Sequence, residues 1–125
     1  RHLPQWNTQR RVHAARYAER LRDVPGIELP AVLDGCQPVW HLFVVQVEQR
    51  DRVLSALAEK GVSAAIHYPV PLHLQQAYAH LGCGKGSLPV VETSAQRILS
   101  LPMFSEMSPE QIDYVCDALR ASLQG

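Results

Sequence analysis

The strongest constraint on this chain is the run Val39-Trp40-His41-Leu42-Phe43-Val44-Val45-Gln46-Val47. β-branched and aromatic side chains suit a pleated surface, so the run is predicted to be a strand. Its companions are few and short. Ile27 to Leu29 is a candidate closed by Pro30, and Val62 to Ile66 is another. Leu99 to Leu101 reads as an edge strand ended by Pro102, because proline cannot donate to a sheet ladder.

Helical signals fill the rest. Leu3, Trp6, Val12, Ala15, Ala18 and Leu21 recur so that they share one broad face, and Pro25-Gly26 stops the pattern. Asp51 is predicted to cap a helix carrying Val53, Leu54, Leu57 and Ala58, which Gly61 ends. A short helix is expected from Leu74 to Leu81, and then Gly82-Cys83-Gly84-Lys85-Gly86 makes a turn. Ser87 reads as the N-cap of a helix with Pro89 in its first turn, reaching Ile98. Ser108-Pro109-Glu110-Gln111 is a capping box opening a last helix, on which Ile112, Val115, Leu119 and Leu123 repeat at helical spacing. The order α-β-β-α-β-α-α-β-α predicts an α+β domain: a small sheet of short, mainly antiparallel strands with helices packed on one side. At 125 residues the chain forms a single domain, 1–125, with a core of its own.

Twelve basic and twelve acidic side chains cancel, which removes the usual electrostatic drive toward nucleic acid or an anionic membrane. The arginines crowded between Arg1 and Arg22 fall among Glu19 and Asp23 and are read as a solvated helix face. No apolar run approaches the ~20 residues of a membrane span, and the N-terminus lacks a signal-peptide layout. Cys36, Cys83 and Cys116 are an odd number without a Cys-x-x-Cys pair, which suits a reducing compartment; the expected location is cytoplasmic. The chain begins with Arg and enters a helix almost at once, as a piece of a longer protein would.

Most chemical motifs fail on inspection. No two of the six histidines stand at the i, i+4 spacing of a helical zinc pair, and no acidic or cysteine ligand lies beside His67 and His73. The glycine run lacks the Ser/Thr and the earlier glycine of a phosphate loop. His80 and Cys83 have no group to orient the histidine, and Cys116 falls on the apolar side of the last helix. His67-Tyr68-Pro69 is different. It mounts an imidazole and a phenol on stiff backbone at the end of a predicted strand, where hydroxyls or phosphate could be bound.

That loop lies within Gly61-Val62-Ser63-Ala64-Ala65-Ile66-His67-Tyr68-Pro69-Val70-Pro71-Leu72-His73-Leu74-Gln75, which closely resembles the C-terminal small domain of the DegT/DnrJ/EryC1/StrS aminotransferases. Trp6-Asn7-Thr8-Gln9-Arg10-Arg11 with Ala14-Ala15-Arg16-Tyr17 is similar to the helix leading into that domain. Leu88-Pro89-Val90-Val91-Glu92 with Leu99-Ser100-Leu101-Pro102-Met103, and then Ser108 to Val115, resemble two further family segments in the family's order.

The resemblance implies a fold-type I, pyridoxal-phosphate-dependent enzyme that moves an amino group, usually from glutamate, onto a keto sugar attached to a nucleotide. It implies residues 1–22 as an interdomain helix, a large cofactor-binding domain outside this chain, and a homodimeric parent. Only Lys60 and Lys85 occur, neither in the family's cofactor-lysine segment, so the chain is not expected to transaminate alone. His67 and Tyr68, and His73 on the same side, are implied as substrate contacts. His41, in the strongest strand, is read either as approaching the site or as a packed or edge residue. The alternative reading is a non-enzymatic ligand-binding or protein-interaction module built on the same fold.

Overall fold

The computed structural model describes residues 1–124. Helix α1 spans Leu3–Leu21, and after a turn at Gly26 the chain makes β1 (Ile27–Glu28). Next come β2 (Phe43–Val47) and α2 (Arg50–Glu59). Two 3-10 turns, Leu72–Leu74 and Gln76–Leu81, lead to α3 (Pro89–Arg97), which runs directly into β3 (Ile98–Leu101). Helix α4 spans Pro109–Leu123. The sheet has the order β1-β2-β3 and both pairings are antiparallel; Phe43 faces Leu101 and Val45 faces Leu99. The fold is α+β.

Alternation along β2 decides which face is the core. Phe43, Val45 and Val47 are buried, while Val44 and Gln46 are only partly covered. Against the buried set lie Tyr17 and Leu21 of α1, Val53 and Leu57 of α2, and Ile112, Val115 and Leu119 of α4. The capping box forms as expected: the Gln111 amide donates to Ser108 Oγ, and the Ser108 amide donates to Gln111 Oε1.

Several expectations are corrected. The strand predicted from Val39 starts only at Phe43, because Trp40 takes a left-handed conformation (φ 53°) and breaks the ladder. His41 is therefore an exposed bend residue outside the sheet. Val62 to Ile66 is not a strand; a turn in which the Ala64 amide bonds the Val62 carbonyl leaves only Ala65 in register, bridging Ser100 on the outer edge of β3. The N-cap position of α2 is held not by Asp51 but by Gln49, with φ 49° and no capping bond from its side chain; Asp51 sits inside the first turn, where its charge suits the helix dipole. The helix expected over Leu74 to Leu81 is split by the extended Gln75.

On α1 the apolar positions mislead. His13, Ala14, Tyr17 and Leu21 are buried, whereas Leu3 and Val12 are about three-fifths exposed (61% and 62%) and Trp6 is also exposed. The helix buries its polar-tipped side chains because partners meet them: Tyr17 Oη donates to the Pro102 carbonyl at 2.9 Å, and His13 Nε2 lies 3.0 Å from the Ser105 carbonyl. The arginines are not merely solvated. Arg10 donates to the carbonyls of Trp40, His41 and Met103, and Arg16 forms a two-bonded pair with Asp113 of α4. No helix among the described residues is long and apolar enough to cross a membrane.

Truncating the Phe43 ring, which stacks on Tyr17 at 5.0 Å, is expected to cost about 4 kcal/mol in urea unfolding, against roughly 0.5 kcal/mol or less for exposed Val90→Ala. Burial pushes the Cys116 thiol up to about 11, so iodoacetamide at neutral pH should label Cys36 and Cys83 in the folded chain and reach Cys116 only after denaturation.

Candidate functional site

Strand β3 presents two faces. Leu99 and Leu101 point into the core, and Ser100 between them points the other way, opposite Val44. Ser100 is buried there beneath the chain that follows its bridge to Ala65. Two residues beyond that bridge, His67 Nδ1 is hydrogen-bonded to Ser100 Oγ at 3.0 Å. The sheet thus holds one nitrogen of the imidazole and leaves Nε2 without a partner among the described residues.

Tyr68 extends outward from that anchor. Its side chain is 74% exposed, and its ring stands edge-on to His67 with centroids 6.0 Å apart. The His67–Tyr68 peptide is cis. Pro69 and Pro71 then fix φ on either side of Val70, so the loop is stiff although few contacts hold it. A free imidazole nitrogen and a free phenol side by side can donate or accept hydrogen bonds to hydroxyl, carbonyl or phosphate oxygens.

His73, the third candidate, is held differently. Its side chain is 8% exposed, and Nε2 donates to Glu92 Oε1 at 3.0 Å. Glu92, in the first turn of α3, also accepts from the backbone amides of Gly86 and Leu88. Those amide bonds, Gly86 first, and the histidine bond hold its carboxyl below the usual carboxylate range. Ser87 is consequently not the cap of α3. Leu88 occupies that position, and Ser87 Oγ donates back to the Gly84 carbonyl. The structure brings His67 and Tyr68 together and holds His73 on Glu92.

Ser100 and Glu92 are the site residues that sequence reasoning missed. Glu92 carried a weak signal, an acid in the first turn of a helix that follows a glycine-rich turn. Ser100 carried none, since its role needs the sheet register.

Other chemistry finds no home nearby. No group of three or more potential metal ligands exists among the described residues. Lys60 lies exposed at the end of α2, its carbonyl taken by Tyr114 Oη, and Lys85 lies exposed in the glycine turn. Among the described residues neither forms an ion pair or lines an enclosed cavity, so these residues do not fit pyridoxal phosphate. A cleft of about 570 Å³ between α2 and α3, lined by Arg50, Arg52 and Arg97 together with Glu48 and Asp51, contains none of the three candidates.

Comparison with known proteins converges on one family. Residues 1–120 match the family model described as the DegT/DnrJ/EryC1/StrS aminotransferase family. The chain is 46% identical over 121 residues to the erythromycin biosynthesis sensory transduction protein EryC1 of Saccharopolyspora erythraea, covering 97% of this chain and 33% of that protein. It is 44% identical to the dTDP-3-amino-3,4,6-trideoxy-alpha-D-glucose transaminase of Streptomyces venezuelae, covering 95% and 31%. The crystal structure of S. venezuelae DesV in complex with a ketimine intermediate superposes with a TM-score of 0.94 at 42% identity, over 99% of this chain and 33% of that one. The chain spans about a third of the length of these relatives.

Glu92, Glu106, Glu110 and Asp113 all titrate below their ordinary values, for Asp113 chiefly through its bonds from Arg16. A carboxylate with a depressed folded pKa contributes stability that is complete above its unfolded value and lost as pH falls through the folded one. Unfolding free energy from urea titrations should therefore be level between about pH 7 and 5 and fall below about pH 4.5, with a shallower fall in Asp113→Asn.

Proposed function

Because the chain belongs to the DegT/DnrJ/EryC1/StrS aminotransferase family, we propose that it is the substrate-side domain of a pyridoxal-phosphate-dependent transaminase acting on a nucleotide-linked keto sugar. The observation that carries this reading is the pair His67 and Tyr68, one anchored to the sheet and both offering unpaired polar atoms. In this reading they bind the sugar-nucleotide or the amino donor, glutamate, while a separate large domain holds the cofactor. Pyridoxal phosphate held by that domain would supply the electron sink for the chemistry. On this chain, His67 and Tyr68 bind and orient substrate, and His73 is read on the same side.

The apolar surface supports docking to such a domain. Tyr68, Leu72, Tyr78, Leu81 and Val90 are all exposed, as are Leu3 and Trp6 near the start of α1, which is read with residues 1–22 as the interdomain helix. Exposed apolar residues of this kind are what a docking face would present. The parent is a homodimer in this reading, and the three free thiols suit the cytoplasm.

A second reading, a non-enzymatic ligand-binding or protein-interaction module, draws support from the relative whose name assigns it to sensory transduction. One graft separates the two. Replacing the matching third of the S. venezuelae transaminase with this chain should yield an active enzyme. In that graft His67→Ala and Tyr68→Phe should each raise KM for the keto sugar about tenfold, the effect of one lost hydrogen bond, with cofactor absorbance unchanged. A graft that binds cofactor and turns over equally well with both residues replaced would overturn the proposal.

A further inference from the structure

Between Ala65 and α3 the chain makes an excursion that touches the body of the domain sparingly. Among the described residues, the side-chain hydrogen bonds joining residues 67–88 to the rest are His67 to Ser100 and His73 to Glu92, and Glu92 also accepts from the amides of Gly86 and Leu88. The other side-chain bonds of the excursion stay within it, such as Gln75 Nε2 to the Val70 carbonyl and Ser87 Oγ to the Gly84 carbonyl, and at its end the Glu92 amide donates to the Leu88 carbonyl as α3 begins. One carboxylate therefore gathers both the outgoing arm of the excursion, at His73, and its return, at Gly86 and Leu88. The return turn depends on Gly82 and Gly86, both at positive φ, and has no core packing of its own.

We propose that Glu92 and His73 form a latch that positions the His67–Tyr68 loop. The inference rests on the substrate-side reading of that loop and assigns His73 as a positioning residue in place of a substrate contact. Its basis is arrangement: the imidazole is 8% exposed, the carboxylate 14%, and the three donors converge on one side chain at the start of a stable helix. Pro69 and Pro71 carry the restraint from residue 73 back to residue 68, because the intervening backbone has little freedom to absorb a shift. Ser100 pins the near end of the loop and Glu92 the far end.

The lysines supply an internal test, since Lys60 and Lys85 are the only two in the chain. A lysine-specific endoprotease cuts Lys85 when the excursion opens and Lys60 when the body of the domain loosens, so their ratio separates local release from general unfolding. Glu92→Ala and His73→Ala should each speed cleavage at Lys85 about tenfold with Lys60 unchanged, and should move the Tyr68 and Leu72 amide signals in NMR. His73→Gln, which keeps a donor near the Nε2 position, should return Lys85 cleavage to within about twofold of the parent chain. Equal acceleration at both lysines, no acceleration at Lys85, or a released turn with the Tyr68 signal unmoved would each overturn the latch. None of these readouts involves sugar or cofactor, so they stand or fall apart from the transaminase reading.

Discussion

Tyr17 is fully buried with its ring stacked on Phe43, and its hydroxyl donates to the carbonyl of Pro102 just past β3. A buried phenol without a partner would cost about 1–3 kcal/mol, so this placement is tolerable only where that carbonyl is available. Burial also raises its pKa, which keeps the hydroxyl a neutral donor through the ordinary pH range. One residue of α1 is thereby tied to the middle strand and to the end of the last one. That contact aligns the helix with the sheet, and the pleat of β3 puts Ser100 on the face opposite to Leu99 and Leu101.

The charged groups refine this arrangement without driving it. Arg16 and Arg20 of α1 reach Asp113 and Asp117 of α4, and Arg120 donates to the Arg20 carbonyl at the other end. These side chains remain partly in water, where ion pairs add little stability. Their geometry, with Arg16 gripping both oxygens of Asp113, fixes how the two helices lie along each other. Arg10 does comparable work on backbone carbonyls, holding the Trp40–His41 bend against the chain after β3.

Histidine is the residue type that needed the most interpretation. His13 meets a buried carbonyl, His67 a buried hydroxyl, and His73 a carboxylate; each uses one ring nitrogen to hold the chain to itself. Of these three, only His67 remains exposed, beside the exposed Tyr68. What makes His67 the candidate for binding is its second nitrogen, and sequence does not display it.

Local order along the chain was legible where short-range chemistry decides it. The extent of α1, the Ser108 capping box, the apolar stripe of α4 and the β-branched centre of β2 all follow from neighbouring side chains and their spacing, as does membership of the α+β class. The motif His67-Tyr68-Pro69 was equally visible, being contiguous, and so was the family likeness it carries. Contacts between distant segments decided the rest. Trp40 turns left-handed beside Arg10, Val62 to Ile66 shrinks to one bridge on β3, and α1 buries His13 and Tyr17 instead of Trp6 because acceptors lie on that side. Ser100 and Glu92 became site residues the same way, through a sheet register and a helix start separated from the loop by up to 33 residues. Hydrogen-bond partners far apart in the chain exist only once the fold has brought them together, and no spacing rule within a single segment encodes that meeting.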